Sequence, residues 1–180
     1  YKGSHDGDEP DFVYVVKPKS TTTSTGTVTT NGWTLTGTYR QDFQDTSYTC
    51  GPSSTQMVFS ALGRTVCEAT IAKLAGTNHS GTTHEGLESA IHKIDSTLKI
   101  KEYGFNGFGI TAAAAKLLGN CEFIVHLRTG TLKKDAYGKQ LWTNDYGHYV
   151  FLVGVNPTKG LWKIGDPTKG VRDLTTGQLK

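Results

Sequence analysis

The spacing of apolar residues changes near residue 120, and this change constrains the fold more than any other feature of the chain. Between residues 55 and 118 apolar side chains recur at helical intervals, whereas after residue 122 they form short continuous runs bounded by turn residues. Helices are therefore expected first and strands second. This order predicts an α+β domain in which N-terminal helices are followed by an antiparallel sheet.

Four helices are predicted in the first part of the compact region. The first carries apolar residues on one face and ends at Gly63, a residue that favours a helix C-terminus. The second runs from about 66 to 74. A capping box formed by Thr82 and Glu85 begins the third, and the fourth covers about 110 to 118.

Strands are predicted from two kinds of pattern. Residues 98–101 alternate apolar and polar side chains, as a half-buried strand does. Three later runs are continuously apolar and rich in β-branched and aromatic residues, which is typical of buried strands: 123–127, 148–155 and 161–165.

The first 38 residues differ in composition from the rest. Residues 12–16 resemble a short strand ended by Pro18, and the following stretch consists mainly of Thr, Ser and Gly. We therefore expect residues 1–38 to be an N-terminal lead-in with a Thr-rich linker, and residues 39–180 to be the folded domain. Because the sequence opens with Tyr1 rather than Met, we expect a fragment of a longer protein.

Composition excludes several classes of function. The formal net charge is +3 and no basic cluster exceeds Lys133 and Lys134, so no nucleic-acid partner is expected. No apolar run approaches the roughly 18 residues of a membrane-spanning helix, so no membrane partner is expected either. We expect a monomer. The chain has 3 cysteines, which cannot all pair, and their spacing matches no zinc site.

Cys50 has the surroundings of a reactive thiol. A cysteine attacks as its thiolate, so a nucleophilic cysteine needs a feature that lowers its pKa. Pro52 fits the first turn of a helix, which places Cys50 at a helix N-terminus where free N–H groups favour an anion. Cys67 and Cys121, in contrast, are expected to be small buried core residues.

An oxyanion that forms beside Cys50 would need hydrogen-bond donors. Gln44 lies shortly before Cys50, close enough for its amide to donate, with the Cys50 backbone N–H as the second donor. Gln41 competes for this role, and either glutamine could instead be an ordinary loop residue.

His148 is the expected base, because imidazole accepts and returns protons near neutral pH. It opens an apolar strand after a turn, so it is presented at a sheet end. Asp166 ends the next strand and would then lie beside His148, where it can orient the imidazole. The alternative for Asp166 is a turn residue before Pro167.

Two weaker candidates complete the set of sites. His84 lies in the first turn of the third helix, where it either lines a substrate groove or is simply an exposed residue at a helix start. The acidic residues near the N-terminus lack the calcium-loop pattern, so no metal ligand is assigned: Asp6, Asp8, Glu9 and Asp11.

The order of these motifs resembles the papain-like cysteine peptidases that process bacteriocin leaders, and their relatives. Within that group three segments look most like the pseudomurein endoisopeptidases: Cys50-Gly51-Pro52-Ser53-Ser54, Ser80 to Leu87, and Gly147-His148-Tyr149-Val150. Those enzymes, largely from viruses of methanogenic archaea, cut an isopeptide bond between alanine and a lysine side chain in the cell wall.

This resemblance covers about residue 39 to the C-terminus and implies a papain-like fold with a Cys50, His148 and Asp166 triad. It implies that Gln44 is the oxyanion donor, that the partner is a pseudomurein wall peptide, and that the protein is a virus-encoded lytic enzyme released at host lysis. The chemistry needs no cofactor, although calcium is implied as a possible aid. The alternatives are a leader-processing peptidase, a related acyltransferase, and a non-catalytic wall-binding module.

Overall fold

The computed structural model describes residues 12–17, 28–104, 108–130 and 132–179. Within these ranges it confirms the α+β class, with helices packed on an antiparallel sheet. The predicted order, helices first and strands second, is only partly correct, because three strands precede the first helix and one lies between the third and fourth helices. The first part of the Thr-rich stretch predicted to be a linker, up to residue 27, and the acidic residues before residue 12 lie outside the described residues.

Four helices occupy the described residues, one at each predicted place, and the two with a predicted range lie within two residues of it. They are α1 (Cys50–Ala61), α2 (Glu68–Ala75), α3 (His84–Ile94) and α4 (Ile110–Leu118).

The sheet has 8 strands in the described residues, all paired antiparallel, in the order β2-β3-β6-β5-β1-β4, with β7 pairing with β6 and β8 with β7. The strands are β1 (Phe12–Lys17), β2 (Val28–Thr30), β3 (Trp33–Leu35), β4 (Lys99–Gly104), β5 (Glu122–Arg128), β6 (Gly147–Asn156), β7 (Leu161–Asp166) and β8 (Gly170–Thr175), followed by a short 3-10 helix, Thr176–Leu179.

Three strands come from the segment that the sequence predicts to be a lead-in. β1 lies between β4 and β5, and the Val16 side chain is fully buried there. β3 pairs with β6 through Thr34 and Leu35. These strands therefore belong to the same sheet as the strands of the folded domain. The sequence did not indicate this, because their partner strands are distant in sequence and cannot be recognised from local composition.

The start of α3 differs by one residue from the predicted capping box. The N-cap is Thr83, not Thr82, and its hydroxyl accepts the Gly86 N–H at 3.1 Å. The Thr82 hydroxyl is paired with that of Thr77 instead. Two adjacent threonines are equivalent in sequence, and only the path of the chain selects between them.

Strand β6 is buried on both faces. Tyr149, Phe151 and Val153 pack into the core formed with α1, α2 and α3. Val150 and Leu152 pack into a second core that includes residues of α4. Since both faces are packed, β6 is a rigid support for the residues at its beginning, including His148.

Two expectations about local environment can be compared with the structure. Cys121 is buried, as predicted, but Cys67 is exposed at the N-cap of α2, so the prediction of a core role for Cys67 is wrong. Among the described residues, no helix is long and apolar enough to cross a membrane.

Candidate active site

The N-terminus of α1 meets the beginning of β6. Cys50 is the first residue of α1 and His148 is the second residue of β6, and both line the same cavity, where His148 lowers the pKa of the thiol through a hydrogen bond and its charge. Gly51 allows the start of α1 to approach Leu87 and Thr82 closely, because a Cβ at this position would lie 3.3 Å from their side-chain atoms. The helix start can therefore pack tightly against α3 while the thiol faces the histidine.

His148 and Asp166 lie side by side on adjacent antiparallel strands. His148 Nε2 is 2.7 Å from Asp166 Oδ2. The second carboxylate oxygen, Oδ1, accepts the backbone N–H groups of Thr168 and Lys169, at 2.6 and 2.5 Å. Since Nε2 is occupied by the carboxylate, Nδ1 is the ring nitrogen that remains for the thiol.

The pKa of the Cys50 thiol is shifted downward. Burial raises this pKa, but the hydrogen bond with His148 and the positive charge of the imidazolium lower it. Backbone hydrogen bonds from Tyr149 and Gly51 act in the same direction, so the net pKa lies below the ordinary value. The arrangement favours a thiolate facing an imidazolium.

The pKa of His148 is shifted the other way. Burial lowers it, whereas hydrogen bonds to Asp166 and Cys50 and the charges of both groups raise it to about 9. For Asp166, burial raises the pKa, but the His148 interaction and the hydrogen bonds of Thr168 hold it below its usual range. All three groups thus favour their charged forms at neutral pH.

Two aromatic rings pack edge-on against the imidazole. The ring centroids of Trp142 and Tyr146 lie 5.4 and 5.9 Å from that of His148. Trp142 is buried and Tyr146 is partly exposed. Trp142 therefore contributes to the burial of the His148 ring.

A cavity of about 390 Å³ opens beside the thiol, and we call it the Cys50 cavity. Its lining contains small, polar and aromatic groups: Gln44, Ser47, Tyr48, Cys50, His79, Ser80, Gly81, Tyr146, Gly147, His148 and Thr168. No Asp, Glu, Lys or Arg is among these described lining residues.

The structure distinguishes the two candidate glutamines by position. Gln44 lines the Cys50 cavity, and its Nε2 donates to Thr46 O at 2.5 Å. One N–H of that amide remains for another acceptor. Gln41 instead donates to the carbonyls of Asp42 and Asp166 and does not line the cavity.

His84 lies away from the lining of the Cys50 cavity. Its ring contacts those of His126 and Tyr149, with centroids 5.1 and 5.8 Å apart. A substrate-binding role for His84 stays a prediction.

The family resemblance implies calcium as a possible aid to activity. Within the described ranges, no group of three or more His, Cys, Asp or Glu side chains is placed to hold a metal ion. Help from calcium stays a prediction.

Several residues around the thiol were not identified from the sequence. Tyr48 and His79 form an edge-to-face pair in the cavity wall, at 4.7 Å between ring centroids. Trp142 and Tyr146 cover the histidine, and the buried carboxyl of Glu68 lies behind the Gln44 loop. Only Tyr146 had a local signal, its proximity to His148 in sequence.

Comparison with known proteins agrees with this geometry. The sequence profile of the Peptidase C39 family matches residues 39–180. An uncharacterized protein of Methanothermobacter thermautotrophicus is 50% identical over 44 residues, which are 24% of this chain and 31% of that protein. The match thus spans about a third of that relative's length.

A solved structure shares the fold. The peptidase domain of Streptococcus ComA, a bifunctional ABC transporter involved in a quorum-sensing pathway, superposes with a TM-score of 0.57 at 20% identity, covering 79% of this chain and 90% of that domain. The family match and the shared fold confirm the expected papain-like α+β architecture. This chain belongs to the Peptidase C39 family and is a cysteine peptidase.

Proposed function

We propose that this peptidase hydrolyses the Ala-Lys isopeptide cross-link of archaeal pseudomurein, with Cys50 as nucleophile, His148 as base and Asp166 as the group that orients His148. The observation that carries the chemistry is the continuous contact from the Cys50 thiol through His148 to Asp166 at the wall of the Cys50 cavity.

The reaction begins with attack of the Cys50 thiolate on the alanine carbonyl carbon. The carbonyl electrons move to oxygen, where the Gln44 amide and the Cys50 backbone N–H donate hydrogen bonds. A first-turn N–H has no acceptor within its own helix, which makes the Cys50 donor available.

Collapse of the tetrahedral intermediate breaks the C–N bond. The His148 imidazolium gives its proton to the departing lysine ε-nitrogen, and a thioester remains on Cys50. Neutral His148 then takes a proton from water while the hydroxide attacks the thioester carbonyl carbon. The C–S bond breaks, the alanine carboxyl group leaves and loses its proton to solvent, and Cys50 returns to the thiolate that faces the His148 imidazolium. Asp166 stabilises the imidazolium form throughout.

The choice of pseudomurein rests on the three segments around Cys50, Ser80 and His148 that resemble the pseudomurein endoisopeptidases. Apart from the Cys50–His148 pair, the described lining of the Cys50 cavity contains no Asp, Glu, Lys or Arg, which suits an uncharged alanine on the acyl side. The partial relative in Methanothermobacter is consistent with a methanogen as host. The same resemblance makes the cell wall the place of action and a virus the source.

The test uses purified pseudomurein and bacterial murein in parallel. We expect new lysine ε-amines from pseudomurein only, and none with the Cys50→Ala variant. Release from neither wall, together with cleavage of a leader peptide, would favour the leader-processing alternative. Since the chain is a cysteine peptidase, a non-catalytic wall-binding module is set aside. Repeating the assay with a chelator tests the proposed help from calcium.

A further inference from the structure

Glu68 carries a buried carboxyl that the mechanism above does not use. It is the first residue of α2, and only 5% of its surface is exposed. Its Oε1 and Oε2 accept the backbone N–H of Asp45 at 3.0 and 3.3 Å, and the Thr49 hydroxyl is a further hydrogen-bond partner. Burying a carboxyl is costly, so its retention beside this loop needs a reason.

These contacts fix the backbone on both sides of Gln44. The Gln44 N–H donates to Pro167 O at 3.0 Å, which ties the loop to the turn after Asp166. The next N–H, that of Asp45, donates to Glu68. The two peptide groups that flank the Gln44 Cα are therefore attached to two different parts of the fold.

A second route connects Glu68 to the Gln44 amide itself. The amide Nε2 donates to Thr46 O at 2.5 Å, and the Thr46 N–H donates to the Thr49 hydroxyl oxygen at 3.1 Å. Thr49 in turn acts on Glu68, since a side-chain hydrogen bond with it lowers the pKa of the carboxyl. The carboxyl thus holds the backbone beside Gln44 directly and acts on the Gln44 side chain only through Thr49.

We infer that Glu68 is a positioning residue that holds the Gln44 amide at the oxyanion site through Asp45 and Thr49. The inference rests on the proposed role of Gln44. Oxyanion donors act only when they are already aimed at the developing charge, and a displacement of about 1 Å can lower a rate by about 100-fold.

An uncharged acceptor is sufficient for this role. Burial, together with the nearby charges of Asp42 and Asp45, raises the pKa of Glu68 to about 7, against the opposing hydrogen bonds of Thr49 and Asp45. A protonated carboxyl still offers one oxygen to the Asp45 N–H. Glu68→Gln offers the same oxygen, whereas Glu68→Ala removes it.

Glu122 provides a matched control. It is also buried, its pKa is also raised to about 7, and it accepts the Thr36 hydroxyl at 2.9 and 2.8 Å. It begins β5, whereas Leu127, five residues along that strand, pairs with His148. At a rise of about 3.3 Å per residue, Glu122 is about 16 Å along the strand from the residue opposite His148.

The experiment compares two reactions of the Cys50 thiol in the same chain. Iodoacetamide alkylates a thiolate without forming an oxyanion, so its rate reports the Cys50–His148 pair alone. Acylation by p-nitrophenyl acetate passes through a tetrahedral oxyanion and depends on Gln44 as well. A Cys50→Ala background is subtracted from both rates, since Cys67 is exposed.

We expect Gln44→Ala to slow acylation at least tenfold while alkylation stays within twofold. Glu68→Ala should slow acylation similarly, Glu68→Gln should keep most of the rate, and Glu122→Ala should leave both rates near the parent. Adding Glu68→Ala to Gln44→Ala should cause no further loss, because the two changes remove one interaction.

Two results would overturn the inference. One is a Glu68→Ala acylation rate no lower than that of Glu122→Ala while Gln44→Ala is slow. The other is a double variant whose loss of acylation rate equals the product of the two single losses. If Gln44→Ala itself acylates normally, the oxyanion role proposed for Gln44 fails and the inference about Glu68 fails with it. Should Glu68→Ala not fold, Glu68→Asp, which withdraws the carboxyl by one methylene, serves the same comparison.

Discussion

His148 Nε2 lies 2.7 Å from Asp166 Oδ2, and the two side chains have 2% and 0% of their surface exposed. An ion pair removed from water to this degree is strongly coupled, and loss of one partner leaves the other charge without compensation. Because the carboxylate holds Nε2, the imidazole presents Nδ1 to Cys50. The reactivity of a thiol at a helix start therefore depends on a carboxylate at the end of another strand.

Asp166→Asn should uncouple this pair while preserving its shape. Without the negative charge, the pKa of His148 falls from about 9 and the pKa of Cys50 rises, because each depends on the imidazolium form. We expect alkylation by iodoacetamide at pH 6 to slow at least tenfold, and amide hydrolysis to fall by roughly 10²- to 10⁴-fold. The alkylation rate measured from pH 4 to pH 10 tests this.

Asp173→Asn is the matched control for that substitution. Asp173 is also a buried carboxylate, but it pairs with Lys163 and accepts the Tyr137 hydroxyl at 2.8 Å, away from the Cys50 cavity. Its variant should keep the parent's pH profile of alkylation. An unchanged profile in Asp166→Asn would contradict the role of Asp166.

The sequence predicted elements that depend on local patterns. Buried strands such as β6 are recognised from their continuously apolar composition, and the four helices were located from apolar spacing and end signals. The position of β1 was not predictable, because Val16 pairs with Ile100 on one side and Glu122 on the other. A strand's propensity is local, whereas its neighbours are set by the whole fold.

The same distinction applies to the site. Cys50, His148 and Asp166 each occupy the end of an element, so a helix start and two strand ends were enough to bring them together. Glu68 had no such signal, since its relevance lies in a contact with Asp45 that is distant along the chain. Trp142 is close to His148 in sequence, but nothing in the local pattern shows that its ring packs on the imidazole. Buried groups that support a site are recognised only once the packing is known.

The stability of the fold should fall between pH 5 and pH 8 because of Glu122. Burial, opposed by the Thr36 hydrogen bond, raises the pKa of this carboxyl from 4.5 to about 7 in the folded state. The folded chain therefore binds more protons than the unfolded chain in that window, and the stabilisation present below about pH 4.5 is lost as the pH rises through about 7. A shift of this size corresponds to about 3 kcal/mol.

Glu122→Gln isolates this contribution, because it removes the titration and nearly keeps the volume. Glu68 and His148 titrate in both proteins and cancel in the comparison. The free energy of unfolding is measured by urea denaturation at pH 5 and pH 8. The difference between the two pH values should be smaller in the variant than in the parent, by up to about 3 kcal/mol. An equal pH dependence in the two proteins would show that Glu122 keeps an ordinary pKa.

Gly147→Ala should disturb the site through the residue that precedes His148 in β6. A Cβ at this position would lie 2.7 Å from His126 Nε2, closer than two such atoms approach in proteins. The His126 ring packs against those of His84 and Tyr149, so it has little room to move. We expect β6 to shift at His148, with a cost of about 1 to 3 kcal/mol in stability and a several-fold slower alkylation of Cys50 at pH 6.

Two further variants separate crowding from a general effect of the methyl group. Gly104→Ala adds the same group at the end of β4, where nothing lies within 4 Å, and should leave the alkylation rate unchanged. Combining Gly147→Ala with His126→Ala opens the space that the methyl needs, so the alkylation rate should recover. If the double variant is as slow as Gly147→Ala alone, contact with His126 is not the cause, and the start of β6 is sensitive to its own backbone conformation instead.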